Sequence, residues 1–410
     1  MSKTLAPPAI DRESIRAQAR EIAEKVEVAA PDKKSRTFFD AVRASSIPYL
    51  PCYLQEDAGE LFVRSYEAFY LMARASVPLA VGLTMHQYNL AALATLPVPS
   101  VPEFERRRQM LVDTIRRYRS LMAISSFGEN IKHKDEAFRN VVAIPQSDGG
   151  FLCSGRKGFQ SIASEADILL FSGFVGEEMG MFYVNLKNQP AIELGPSLFP
   201  GAMALTDTRP VQFNNLRLKS RNVLSISDDL TDHVSFYATA WFEALVTAAY
   251  LGGACRALEE VRKFANSVHT DDDEPLAEVD GFMVDSGRLS LELRSQLALA
   301  RSFGLCCDRY CRLVRSQGPP EEIDKVANDL MDCGSLIKYS GTRAACHIVT
   351  GARNLIGTRS MSPNHPIAAL SEQINFGPMH PTITAKIERS FGADMLSSEP
   401  YTGMFAWALG

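Results

Sequence analysis

The sequence predicts a mostly helical α+β protein: an N-terminal helical domain, a middle antiparallel β-domain and a C-terminal four-helix bundle. Three observations predict it. Apolar residues fall at helical spacing from about Ser14 to Ala123; short β-rich runs broken by Gly, Asp, Asn and Pro follow from Ile124 to about Leu224; and long helical stretches return from about Asp228. Helices, then strands, then helices imply segregated domains rather than alternating βαβ units. The chain's 410 residues also exceed what one core usually serves, since single cores stop growing at roughly 250–300 residues. The expected domains are residues 1–123, 124–224 and 225–410, the last carrying oligomerisation.

Each zone has its own signature. In the first, YEAFYLMARASVPLAVGLTMHQYNLAALATL carries the helical period, and Pro97 to Pro102 breaks it. In the second, FRNVVAIP, GGFLCSGRKGF, ADILLFSGFV, MGMFYVNL and VQFNNLRL read as strands of a sheet or barrel. In the third, FEALVTAAYLGGACRALEEVRKFA, LSLELRSQLALARSFGLCCDRYCRLV and DKVANDLMDCGSLIKYSGTRAACHIV read as long helices.

Composition narrows the function. A net charge of −5 argues against general nucleic-acid binding, which needs a dominant basic surface. No apolar run is long enough to cross a bilayer, and MSKTLAPPAIDRES lacks a signal-peptide core, so the expected location is cytoplasmic and away from membranes. Cys306, Cys307 and Cys311 lie in an apolar helical pattern without CxxC or spaced histidines, so they read as packed thiols and no metal site is expected. HTDDDE, from His269 to Glu274, lacks calcium-loop spacing and reads as a solvated loop. Arg106, Arg107, Arg108, Arg116, Arg117 and Arg119 read as a solvated helix face. Ser335 to Lys338 matches the SxxK pattern of serine acylases by chance, since SDN and KTG partners are absent. No GxGxxG follows a strand and no GxxxxGK[ST] occurs, which leaves Rossmann and P-loop cofactor sites unsupported.

Several strings in order resemble the acyl-CoA dehydrogenase family over nearly the whole chain. ARASVPLAVGLTMHQYNLAAL is similar to the family's helix with small residues and an internal histidine, here His86. GGFLCSGRKGFQSIASEADILL resembles its Gly-x-Lys-x-Trp-Ile-Thr-Asn signature, with Phe159 at the Trp and Ser161 at the Thr position. RPVQFNNLRLKSRNVL, FEALVTAAYLGGACRALEEVRKFA and TAKIER resemble the end of the family's β-domain, the opening helix of its C-terminal bundle and its last helix.

The resemblance implies a flavin, FAD in the first instance, with FMN or loosely bound reduced flavin as alternatives. An isoalloxazine needs an apolar wall and polar contacts along one edge. Phe159 would be the wall, Gln160 and Ser161 polar contacts, and Ser125 and Ser126 in ISSFGEN candidates for the pyrimidine edge. Dehydrogenating a thioester also needs a base for the α-proton. The family's usual glutamate before its last helix is replaced here by Thr382, in HPTIT. A minority of the family carries the base in the first C-terminal helix, where Glu243 stands among Trp241, Phe242, Ala244 and Leu245, company that lifts a carboxylate's pKa. At the adenosine end Val268, HTDDDEPL and CHIVTGARN replace the family's grip, leaving Arg343, Arg353 and Arg359 available. Losing a charged donor there costs about 1.5–3 kcal/mol, which suits loosely held flavin.

The resulting expectation is dehydrogenation of an acyl thioester, on CoA or an acyl carrier protein, with a flavoprotein or oxygen as electron acceptor and a homodimer or homotetramer as assembly. The alternatives are a flavin-dependent monooxygenase on the same fold, or a non-catalytic relative.

Overall fold

A computed structural model describes residues 10–98, 100–124 and 141–397. The N-terminal part holds five helices: α1 (Arg12–Val28), α2 (Lys34–Ala44), α3 (Ala58–Ala73), α4 (Val77–Thr95) and α5 (Pro102–Tyr118). Asp11 and Asp57 start α1 and α3 by accepting from the backbone N–H groups of Ser14 and Glu60. α4 is the core of this region: nearly every side chain from Val77 to Thr95 is buried, so it has no solvent face. Its His86 is held between two backbone groups, with Nε2 2.8 Å from the carbonyl of Pro48 and Nδ1 accepting from the N–H of Met122 at 3.0 Å. An accepting Nδ1 fixes the proton on Nε2, which then donates to Pro48. This histidine ties the helical region to the first strand.

The middle region is built from β1 (Met122–Ile124), β2 (Val141–Pro145), β3 (Phe151–Gln160), β4 (Ile168–Val175), β5 (Glu178–Asn185), β6 (Ile192–Leu194), β7 (Arg209–Leu218) and β8 (Val223–Ile226). The strand order is β6-β7-β3-β2-β4-β5-β8, with β1 also on β4. Most pairs are antiparallel, as expected, but β1 and β2 run parallel to β4. Phe171 on β4 meets Phe213 on β7 at 4.7 Å between ring centres. Those strands are three apart in the sheet, so it curls on itself to enclose an aromatic core.

The C-terminal part has three long helices, α6 (Asp228–Ser267), α7 (Asp280–Arg315) and α8 (Pro320–Ile356), then α9 (Pro366–Ile374), α10 (Phe376–Met379) and α11 (Thr384–Ser397). Ser227 caps α6, and Asp228 and Asp229 sit at its positive end. α6 threads the middle of the molecule, with every residue from Glu243 to Ala254 buried. Gly252 lets it approach α3, because a Cβ there would lie 2.4 Å from the carbonyl of Tyr70. Among the described residues, no helix is long and apolar enough to cross a membrane. Cys306, Cys307 and Cys311 are buried thiols, and Asp271 to Asp273 are exposed. The arginines of α5 are less uniform than the sequence implies. Arg106 and Arg107 share Glu103 at the surface, whereas Arg108 turns inward to Glu105 and the carbonyl of Leu93.

Candidate active site

The end of β3 turns an aromatic side chain toward the C-terminal helices. Strand alternation turns neighbouring side chains to opposite faces, and here Phe159 is 57% exposed while Gln160 is fully buried. Neither amide atom of Gln160 has a protein partner among the described residues. A buried amide left unpaired costs about 1–3 kcal/mol, so this side chain calls for a partner beyond the described residues. Ser161 joins a hydroxyl chain, 2.9 Å from Thr208 Oγ1, which is 2.8 Å from Thr206 Oγ1. The turn after β3 packs closely on α4: a Cβ on Gly82 would lie 3.1 Å from both Ile162 Cγ2 and the Thr206 carbonyl. Phe159 stacks toward Phe199 at 6.4 Å, and Phe199 meets the edge of Phe376 on α10 at 5.5 Å. This aromatic chain leads from the sheet to the C-terminal helices.

A second aromatic group is carried by the helices. Tyr88 on α4 contacts Phe242 on α6 at 5.3 Å, and Phe242 lies 6.1 Å from the ring of His380. Tyr250 Oη is 3.1 Å from His380 Nδ1. Burial, reinforced by the charge of Lys338, pulls the His380 imidazole down to about 4, so the ring is neutral at pH 7. Burial raises the phenol of Tyr250 well above its ordinary value, so it too stays protonated. The donor in this hydrogen bond follows the ring's tautomer: if Tyr250 donates to Nδ1, Nε2 carries the ring proton and is a neutral donor.

Behind His380 lies a buried polar cluster. Glu243 is 1% exposed and accepts from the hydroxyl of Ser335 at 2.5 Å. Lys338, one turn along α8 and also 1% exposed, donates from Nζ to the carbonyl of Thr382 at 2.6 Å. Burial pulls the Lys338 ammonium down to about 8, against the opposing pull of Glu243.

The structure thus brings Phe159, Gln160 and Ser161 together at the end of β3 and puts Glu243 in the core, pointing away from bulk solvent. Ser125 and Ser126 lie outside the described residues. The apolar company expected around Glu243 is supplied by α6 alone, whereas α8 presents Ser335 and Lys338 to it. Thr382 contributes its backbone carbonyl. Of the residues expected near an adenosine, His347 pairs with Glu292 at 2.6 Å, and Arg343 and Arg359 rest on the rings of Tyr339 and Phe264. Sequence reasoning missed Lys338, although a signal existed: it falls on the core-facing stripe of α8 with Gly334, Ile337, Gly341 and Thr342. Tyr88, Phe199, Phe376 and His380 meet only through the tertiary fold. Among the described residues, no group of His, Cys, Asp and Glu is arranged to hold a metal.

No protein-family model matches the chain. Isobutylamine N-hydroxylase of Streptomyces viridifaciens is 24% identical over 207 residues, 49% of this chain and 54% of that relative, so the match spans about half the relative's length. Among solved structures, the dibenzothiophene monooxygenase TdsC of Paenibacillus sp. A11-2, in complex with FMN and indole, superposes with a TM-score of 0.77 at 20% identity, over 94% of this chain and 97% of that one. Butyryl-CoA dehydrogenase of Megasphaera elsdenii superposes with a TM-score of 0.73 at 14% identity, over 97% and 100%. Helical and β regions agree with these structures in order and extent along almost the entire chain, and the protein has the acyl-CoA dehydrogenase fold.

Proposed function

We propose that this protein is a flavin-dependent monooxygenase that takes reduced flavin, with residues 124–224 forming the flavin and substrate domain. One observation carries the choice of reaction. Neither place where the family resemblance puts a dehydrogenase base offers a free carboxylate, because Thr382 has none and Glu243 is engaged by Ser335 and faced by Lys338. Oxygenation needs no carboxylate at Cα, so the engagement of Glu243 by Ser335 counts toward it. The relatives named an N-hydroxylase and a monooxygenase support the same reading.

The residues present fit a flavin. Phe159 would wall one face of the ring, the unpaired amide of Gln160 would meet a polar edge, and Ser161 would add to that edge. When bound, reduced flavin supplies two electrons to dioxygen, so that one oxygen atom enters the substrate and the other leaves as water. The neutral His380 would offer a proton donor at Nε2, and Tyr88 and Phe242 would cover the apolar part of a small substrate and exclude water.

The second reading is dehydrogenation of an acyl thioester with Glu243 as base. The burial of that carboxylate favours it. The test supplies FMN, NADH and a flavin reductase in air, with indole and isobutylamine as probes, and separately titrates FAD-loaded protein with butyryl-CoA without oxygen. Gain of one oxygen atom by a probe supports oxygenation, and bleaching of the flavin by the thioester overturns it in favour of the second reading. Neither response leaves a non-catalytic relative.

A further inference from the structure

Lys338 is an unusual residue to find in a helix core. An ammonium is expensive to strip of water, and an apolar side chain of similar volume would fill the same stripe of α8 at no such cost. The chain nevertheless buries Lys338, gives its ammonium a carbonyl to donate to, and places a serine–carboxylate pair nearby. Ser335, one turn earlier on α8, donates to Glu243 at 2.5 Å. Glu243, on α6, opposes the loss of charge that burial imposes on Lys338. The ammonium then spends a hydrogen bond at 2.6 Å on the carbonyl of Thr382, in the short segment that joins α10 to α11. His380 lies two residues before Thr382, with its ring located by Tyr250 and Phe242. The segment is thus tied to α10 by the His380 N–H, to α6 through the histidine ring and to α8 through the Thr382 carbonyl, and the last tie depends on a buried ammonium.

We propose that Lys338, through its hydrogen bond to the Thr382 carbonyl, is a positioning residue that holds the segment from His380 to Thr382 and so keeps the His380 imidazole beside Phe242 and Tyr250. Its effect on rate rests on the oxygenase reading; its effect on the segment rests on the geometry alone. Burial brings Lys338 only to about 8, so the ammonium stays mostly protonated at neutral pH and the contact persists. The SxxK spacing that has no acylase partners thus gains a different use: Ser335 orients the carboxylate that opposes the loss of charge on Lys338.

The test compares two variants of the full chain with wild type. Glu243→Gln/Lys338→Met removes both charges, so no buried charge is left alone. Lys338→Arg keeps the charge opposite Glu243 but replaces the compact ammonium with a planar guanidinium that does not fit the same contact. Amide hydrogen exchange is read by mass spectrometry on peptides covering residues 376–386, with peptides of α6 and α8 as controls. In both variants the segment should exchange about tenfold faster or more while the controls hold. With reduced FMN and whichever of indole or isobutylamine wild type oxygenates, kcat should fall about 30-fold, with KM and FMN affinity within about threefold. Unchanged exchange in the segment overturns the proposal. So does a loosened segment with wild-type kcat, or failure of both variants to fold, which would assign the pair to the core. If wild type oxygenates neither probe, the oxygenase reading loses its support, and the exchange result alone decides whether Lys338 positions the segment.

Discussion

Replacing Glu243 by Gln separates the electrostatic role of this carboxylate from its shape, and the structure sets the size of the effect. Gln keeps the volume and still accepts from Ser335, but it removes the counter-charge of Lys338. Lys338 is nearly inaccessible, and its pKa of about 8 already lies below the ordinary 10.5. Without Glu243 it falls further. A folded-state pKa below the unfolded value means that the unfolded chain binds more protons, so stability rises with pH through the interval. Above pH 9 Lys338 is mostly neutral in both proteins, and the difference between them should then stop changing with pH. Each pH unit below about 8 adds about 1.4 kcal/mol to the cost, until the variant's own lower pKa is reached. The stability gap between variant and wild type should therefore widen as pH falls below 8, by up to about 1.4 kcal/mol per pH unit. Urea unfolding of both proteins at pH 6, 7 and 9 measures this. A difference that does not change with pH would refute the reasoning, because Lys338 would then not sense Glu243.

The remaining expectations concern other parts of the molecule. Burial pulls His86 from 6.5 down to about 4, so its contribution to stability is intact above pH 6.5 and is lost between pH 6.5 and 4, by about 3 kcal/mol. The urea midpoint should fall across that interval, and His86→Gln should flatten the fall; equal slopes would count against a neutral buried ring. Gln160→Leu removes two unpaired buried amide atoms, so the flavin-free protein should gain about 1–3 kcal/mol. The same variant should lose about tenfold in FMN affinity by fluorescence titration, and full retention of affinity would remove Gln160 from the flavin site. Val284, Leu291 and Leu305 are exposed on α7 at intervals that are multiples of seven residues, so one edge of the helix offers an apolar stripe to a second copy. Light scattering at micromolar concentration should give a dimer or tetramer mass, and Leu291→Glu should lower it; a wild-type monomer argues against the stripe as an interface.

Local pattern was enough for the order of regions and for much of the end of β3. Helical period and strand alternation are set by backbone geometry, so a helical first part, a sheet between and a helical last part were legible without any contact being known. Phe159 and Gln160 were legible through a motif, and alternation along β3 then puts one in the open and the other inside. The charge environment of Glu243 was not legible. Its sequence neighbours are apolar, but a side chain in a helix meets residues three or four positions away and the helix packed across from it. Here that helix is α8, nearly a hundred residues later, and it delivers Ser335 and Lys338. His380 depended in the same way on Tyr250 and Phe242, 130 or more residues earlier. The sequence by itself determined which elements form and which faces they bury, because those follow from intrinsic periodicity. Only the tertiary structure decided which polar groups share the interior: pairing of buried charges depends on distances of a few ångströms between helices that sequence spacing does not encode.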